Sequence, residues 1–164
     1  GSGKTTLLHV LAGIEPADGG ALRCAPGRVG LVFQHHYLLP ELSAEENVAV
    51  AGRIAGQGAA AALARGRELL AEVGLSERFA HLPSELSGGE MARVALARAL
   101  VASPAVILAD EPTGNLDEDT SLAVQDLLFG LVRRHGTALL IVTHEPAVAA
   151  RADRTHRLEH GVLR

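Results

Sequence analysis

The chain has 164 residues, 48% hydrophobic and 21% charged, which supports one buried core and excludes a disordered chain or two independent cores. Fifteen basic residues against 19 acidic ones give a net charge of -4, which speaks against a nucleic-acid surface held by bulk charge. The single cysteine, Cys24, can form neither an internal disulfide nor a zinc site with cysteine partners, no apolar run approaches the about 20 residues of a bilayer span, and no signal peptide opens the chain, so a reducing, cytoplasmic setting is expected.

The chain opens on Gly1-Ser2-Gly3-Lys4-Thr5, the second half of the pattern G-x-x-x-x-G-K-[ST]. There is no initiator Met, and the chain is expected to be a fragment whose first motif glycine and preceding strand lie upstream. Lys4 is the only lysine; every other basic residue is arginine. Glycines let backbone N–H groups close around phosphate oxygens at the positive end of a helix. In that setting Lys4 reaches the β and γ phosphates, and the Thr5 hydroxyl holds Mg²⁺, which prefers oxygen ligands. The competing reading is a glycine turn that caps a helix, with Lys4 solvated. Residues 4–12 are expected to be helical and to end at Gly13. Pro16, Gly19, Gly20, Pro26 and Gly27 mark a loop with a short edge strand around Ala21 to Cys24. Val29 to Phe33 is a short apolar run that reads as a buried strand and delivers Gln34 at its end. His35-His36 reads as a surface loop.

From about Ser43 to Leu82 the chain becomes Ala-rich, with helical spacing over Ala44–Ala55 and Ala59–Val73. The stretch of about 43–102 is expected to be a helical insertion within one domain. Ser87 precedes a helical run to Ala102, stopped by Pro104; Ser87-Gly88-Gly89 reads as a helix N-cap, and such a terminus is also an anion site. Arg93 and Arg98 interrupt this apolar helix and are expected to form local ion pairs. Ala105–Ala109 is an apolar run ending in Asp110-Glu111, followed by a turn over Thr113–Asp117 and an amphipathic helix over Glu118–Arg134. A second buried β-type run, Thr137–Val142, ends in Thr143-His144, and Thr155–Arg164 reads as two short strands about His160-Gly161. Strands alternating with helices predict an α/β fold with a mostly parallel sheet covered on both faces. Polar residues at the strand ends then line one edge, where such sheets place ligands.

Asp110 and Glu111 leave an apolar strand side by side, which calls for a cation or proton partner. Asp110 suits Mg²⁺, held through water, and Glu111 suits polarising an attacking water. Taken singly, each could also be an ordinary surface acid at a strand terminus. Gln34 alone could be a solvated strand end, and His144 alone a buried histidine bonded to backbone.

The stretch Leu86-Ser87-Gly88-Gly89-Glu90 resembles the signature motif of the ATP-binding cassette (ABC) ATPases, a branch of the P-loop NTPases. The rest of the set follows in order: Gln34, the signature, Asp110-Glu111, Asn115-Leu116-Asp117 and His144. Ala109 to Asp117, with Leu38-Leu39-Pro40 and Glu46-Asn47-Val48, is similar to the branch that powers lipoprotein release and macrolide export, and a cell-division branch shares it. The resemblance implies a P-loop fold with an inserted helical subdomain, ATP and Mg²⁺ as ligands, and ATP hydrolysis. It implies that Gly1, Ser2, Gly3, Lys4, Thr5 and Thr6 bind the phosphates, and that Thr5, Gln34 and Asp110 serve the metal. Gln34 also senses the attacking water, Glu111 polarises it, and His144 contacts the γ-phosphate and orients Glu111. Ser87, Gly88 and Gly89 close on the γ-phosphate held by a partner subunit, and Asp117 communicates between the two sites. The implied partners are a transmembrane permease and a second nucleotide-binding subunit in a head-to-tail dimer, on the cytoplasmic face of the membrane, with no nucleic acid. The family's aromatic adenine platform precedes the phosphate loop, so neither Phe33 nor Tyr37 is assigned to it. Met91-Ala92 depart from the polar residues usual before Arg93. A cell-division or nucleic-acid-associated cassette ATPase is the alternative.

Overall fold

The computed structural model describes residues 3–22, 29–159 and 161–164. Helix α1 (Lys4–Ala12) springs from Gly3 at φ 85° and stops at Gly13 at φ 74°, both left-handed conformations that suit glycine. Ala21 and Leu22 lie in irregular backbone; Arg23 and Cys24, the rest of the expected edge strand, fall outside the described residues. Strand β1 (Val29–Phe33) follows. Helix α2 (Ala44–Ile54) opens with a reciprocal cap in which the Ser43 N–H donates to the Glu46 carboxylate at 2.8 Å. Next come α3 (Ala59–Glu72), two short 3₁₀ turns at Ser76–Arg78 and Pro83–Glu85, and α4 (Gly88–Leu100), which ends two residues before Ala102. Strand β2 (Val106–Asp110) leads to α5 (Glu118–His135), capped by Asp117 and ended by Gly136 at φ 62°. Strand β3 (Ala138–Val142) precedes a one-turn helix, α6 (Pro146–Ala149), too short to leave a periodic signal. The tail forms the antiparallel pair β4 (Leu158–Glu159) and β5 (Val162–Leu163).

The main sheet is parallel in the order β1-β2-β3, with Val29, Val106 and Ala138 in one row and Phe33, Asp110 and Val142 in another. Parallel neighbours need long crossovers; α2 to α4 supply the first and α5 the second. Alternation along β1 shows which helix covers each face. Gly30 points at α4, whereas the Phe33 ring stands edge-on to His9 of α1 at 6.2 Å. The sheet therefore carries helices on both sides, as the alternating pattern predicts.

The core gathers around α4, whose Ala92, Val94, Ala95, Leu96, Ala97, Ala99 and Leu100 are all buried. Leu69, Leu70, Leu75, Leu96, Leu100, Ile107, Leu128 and Leu131 are its largest enclosed side chains, each worth about 1.5–3 kcal/mol on leaving water. Two positions set how closely the parts approach. A Cβ at Gly30 would sit 2.5 Å from the Ala99 carbonyl oxygen, so only glycine lets β1 rest on the α4 backbone. Asn47, fully buried on α2, accepts from the Leu39 N–H at 2.7 Å and donates to the carbonyls of Leu39, Leu42 and Ser43. It thereby folds the segment after Gln34 onto α2, using polar groups that would be costly to bury unpaired.

Replacing Gly30 with Ala is expected to destabilise the full-length protein by about 1–3 kcal/mol, because backbone rather than a flexible side chain blocks the new methyl. Denaturant unfolding checks this. An unchanged midpoint would show that β1 and α4 separate freely.

Candidate nucleotide site

Because β1, β2 and β3 run parallel and in register, their C-terminal ends fall in one row. The residues that follow Phe33, Asp110 and Val142 are Gln34, Glu111 and Thr143-His144, so three elements distant in sequence deliver polar groups to a single edge. The ladder continues one step further, with the Glu111 N–H donating to the Val142 carbonyl at 2.9 Å. Glu111 itself has φ 43°, a left-handed conformation unusual for a residue with a side chain. Its carbonyl accepts from the Gly114 N–H at 3.0 Å, which closes the turn. The Glu111 carboxylate lies 3.0 Å from Nδ1 of His144, with the histidine 66% exposed and the glutamate 24%.

Helix α1 presents its first turn to the same edge. The Thr5 hydroxyl donates to Asp110 Oδ2 at 2.8 Å, joining residues 105 positions apart. Gly3 offers no side-chain cap, so the positive end of the helix dipole is left for an anion. Gly1 and Ser2 lie outside the described residues. Thr5 and Asp110 are hard oxygen donors in contact, and Gln34 adds an amide oxygen on the neighbouring strand; this set fits Mg²⁺. Among the described residues no group of three or more His, Cys, Asp or Glu stands together. A metal held by one or two side chains and completed by phosphate oxygens is the mode that Mg²⁺ favours.

Gln34 is engaged by Asn115, in the turn that leads to Asp117. Its Nε2 donates to Asn115 Oδ1 at 3.1 Å, and its backbone carbonyl accepts from Asn115 Nδ2 at 3.2 Å. The loop beyond Gln34 is fastened from the other side by Arg98, which donates to the carbonyls of His36 and Tyr37 at 2.6 and 2.7 Å. Tyr37 has φ 45°, so the guanidinium holds a strained turn. Arg93 likewise donates to the carbonyls of Val73 and Gly89. The expected ion pairs of Arg93 and Arg98 are thus replaced by bonds to backbone carbonyls: His36 and Tyr37 in the loop for Arg98, and Val73 at the end of α3 and Gly89 in the first turn of α4 for Arg93. Of the two adjacent histidines, His35 is exposed as expected and His36 is half-buried. Burial holds the His36 imidazole below its ordinary range, and the Arg98 charge beside it acts in the same direction.

Ser87 begins α4 with a capping box: its hydroxyl accepts from the Glu90 N–H at 3.2 Å, and its own N–H donates to the Glu90 carboxylate at 2.8 Å. The N-cap reading of Ser87 therefore holds, and the turn remains an anion-binding shape. Gly88 packs against Leu116 in the turn before α5, and Gly89 against Thr120 in the first turn of α5. A Cβ at Gly88 would stand 3.2 Å from Leu116 Cδ2, and one at Gly89 would stand 2.5 Å from Thr120 Cγ2. Asp117 caps α5 through the Thr120 N–H at 3.0 Å. The backbone bond from Ser87, then the ion pair with Arg78 at 3.0 Å, hold the Glu90 carboxylate down at about 2. Among the residues singled out in the sequence, Thr5, Asp110, Glu111, His144 and Gln34 thus meet at the sheet edge. Gly88 and Gly89 stand instead against Leu116 and Thr120, the residues that flank Asp117 at the start of α5.

A family model described as ABC transporter matches residues 1–114. Lipoprotein-releasing system ATP-binding proteins LolD are similar along almost the whole chain. That of Chromohalobacter salexigens is 46% identical, over 99% of this chain and 76% of its own length. That of Treponema pallidum is 45% identical, over 99% and 79%, and that of Alcanivorax borkumensis is 47% identical, over 100% and 79%. Among solved structures, the dimeric post-hydrolysis state of the ATP-binding cassette MJ0796 bound to ADP and Pi matches with a TM-score of 0.82 and 34% identity, covering 98% of this chain and 78% of that one.

The depressed Glu90 carboxylate makes a prediction about pH. Folding favours the charged form, so the stabilisation is complete above the ordinary carboxylate value of 4.5 and is lost as pH falls from there towards about 2. The stability gap between the wild type and Glu90→Gln is expected to be flat near neutral pH and to shrink across that window. Urea unfolding at several pH values measures it, and a gap independent of pH would contradict the cap.

Proposed function

The chain belongs to the ABC transporter family, and we propose that it powers lipoprotein extraction as the ATP-hydrolysing subunit of a membrane complex. It is an ATP-binding, ATP-hydrolysing subunit of an ABC transporter, and its α/β fold is that of the P-loop cassette. The readings as a cell-division or nucleic-acid-acting cassette find no support in these relatives. The observation that carries the chemistry is the row of strand ends joining Thr5, Asp110, Glu111 and His144.

In this reading Gly1 to Thr6 cradle the phosphates, with Lys4 on the β and γ groups. Thr5, Asp110 and Gln34 hold Mg²⁺, which when bound neutralises charge on the phosphate oxygens. Glu111 polarises the attacking water. His144, whose Nδ1 lies 3.0 Å from the Glu111 carboxylate, fixes its direction and offers its ring to the γ-phosphate. Ser87, Gly88 and Gly89 serve the partner subunit's nucleotide through backbone N–H groups and the helix dipole, and Asp117 links the two sites. The active unit is then a head-to-tail dimer with ATP in its interface, so ATP favours association by linkage.

A transmembrane permease is the second partner. In this reading the subunit sits against that permease, peripherally on the cytoplasmic face; no described helix is long and apolar enough to cross a membrane. Residues 43–102 act as a helical insertion within one nucleotide-binding domain and, with the loop after Gln34, form the docking surface. A groove of about 630 Å³ lined by Leu11, Phe33, Ala51, Ile54 and Ala99 lies there, and the exposed Tyr37 ring stands 5.4 Å from that of Phe33.

Glu111→Gln in the full-length protein keeps the side-chain shape and removes the base, so turnover is expected to fall by about 10²-fold or more while ATP still binds and a dimer accumulates. Near-normal hydrolysis in that variant would remove Glu111 from its role. Adding Ser87→Asp preserves an N-cap residue but sets a carboxylate against the partner's γ-phosphate. Light scattering should then show the ATP-dependent dimer lost from the Glu111→Gln background. A dimer that persists with ATP would contradict the composite site.

A further inference from the structure

The loop of residues 114–117 touches both halves of the site. At one end, Asn115 brackets Gln34 with one side chain. Its Oδ1 accepts from the Gln34 amide at 3.1 Å, and its Nδ2 donates to the Gln34 carbonyl at 3.2 Å. The same Nδ2 lies 3.2 Å from Nδ1 of His35, which accepts in its neutral form. Gly114 makes the approach possible, since a Cβ there would stand 2.8 Å from Gln34 Nε2. At the other end, Leu116 meets the Gly88 turn and Asp117 caps α5.

From this geometry we infer that Asn115 is a positioning residue for Gln34, coupling the loop that carries Asp117 to the side chain at the metal edge. A displacement of the 114–117 loop must either break these bonds or carry Gln34 with it. Asn115 grips both the backbone and the side chain of Gln34, so the motion passed on is a translation of the residue as well as a turn of its amide. Gln34 has no covalent or helical tether to that loop; 81 positions separate it from Asn115. The coupling requires a side chain with one acceptor and two donors, which restricts it to an amide of this length. The inference rests on the proposed role of Gln34 in serving the metal.

The test uses the full-length protein. Steady-state ATP hydrolysis is followed at saturating ATP while Mg²⁺ is varied, for Asn115→Ala, Asn115→Asp, Gln34→Ala and the Gln34→Ala/Asn115→Ala pair. Asn115→Ala is expected to lower kcat by about tenfold and to raise the half-saturating Mg²⁺ concentration, leaving the KM for ATP within about twofold. Asn115→Asp keeps the acceptor for the Gln34 amide but loses both Nδ2 donors, and should fall similarly. Because Asn115 acts through Gln34, the double variant should be no slower than Gln34→Ala alone. Asn115 is exposed, so thermal transitions of all variants should match the wild type. Losses that multiply in the double variant, or wild-type kinetics in Asn115→Ala beside a slowed Gln34→Ala, would overturn the inference alone. Full activity in Gln34→Ala would instead overturn the role of Gln34, and the coupling with it.

Discussion

The parallel register of three short strands is the constraint on which the rest of the molecule depends. Phe33, Asp110 and Val142 occupy one row, and the groups that follow them become neighbours for that reason alone. A slip of one residue in any strand would move its terminal group by about 3.3 Å and turn it to the opposite face of the sheet. Glu111 would then lose His144, and Asp110 would lose Thr5. The register is secured from outside the sheet. Gly30 lets β1 lie directly on the backbone of α4, and the fully buried Ile107 and Val32 fix the depth of β2 and β1 in the core.

Upon that frame the site is made of loops, and each loop is held by a polar side chain reaching backbone or amide groups. Asn47 folds the segment 39–43 onto α2, Arg98 ties residues 36 and 37 to α4, and Asn115 ties Gln34 to the turn before α5. Such bonds are individually modest, about 1 kcal/mol net, yet they give a loop one position instead of many. The pattern has a mechanical consequence. Helix α4 carries Ser87 at its start and Arg98 near its end, so one rigid element spans from the signature turn to the loop after Gln34. Movement at either end is delivered to the other through a helix rather than through a flexible chain.

Among the described residues, three that are not glycine hold left-handed backbone: Ser103 before β2, Tyr37 in the loop after Gln34, and Glu111 directly after β2. Glu111 is fixed there by two backbone bonds, from its N–H to Val142 and to its carbonyl from Gly114. Its carboxylate is thereby aimed along the sheet edge towards His144 rather than back into the core. Burial first, and the nearby Arg98 charge with it, lower the His36 pKa, which disfavours a second positive charge beside that guanidinium.

Much of this was legible in the chain of letters because it is local. Gly13 stops a helix, Ser87 starts one, and short apolar runs mark the strands, since caps and periodicity depend on near neighbours only. The chemical identities of Lys4, Thr5, Asp110 and Glu111 point to phosphate and a divalent ion by charge and oxygen type. What the tertiary structure alone decided is everything that joins distant positions. That Thr5 bonds Asp110, that Arg93 and Arg98 serve carbonyls instead of acids, and that Asn115 grips Gln34 all follow from how α1, α4 and the 114–117 loop pack around the sheet. A side chain's partner is set by the three-dimensional neighbours that packing brings within about 3 Å, and no periodicity along the chain encodes that distance.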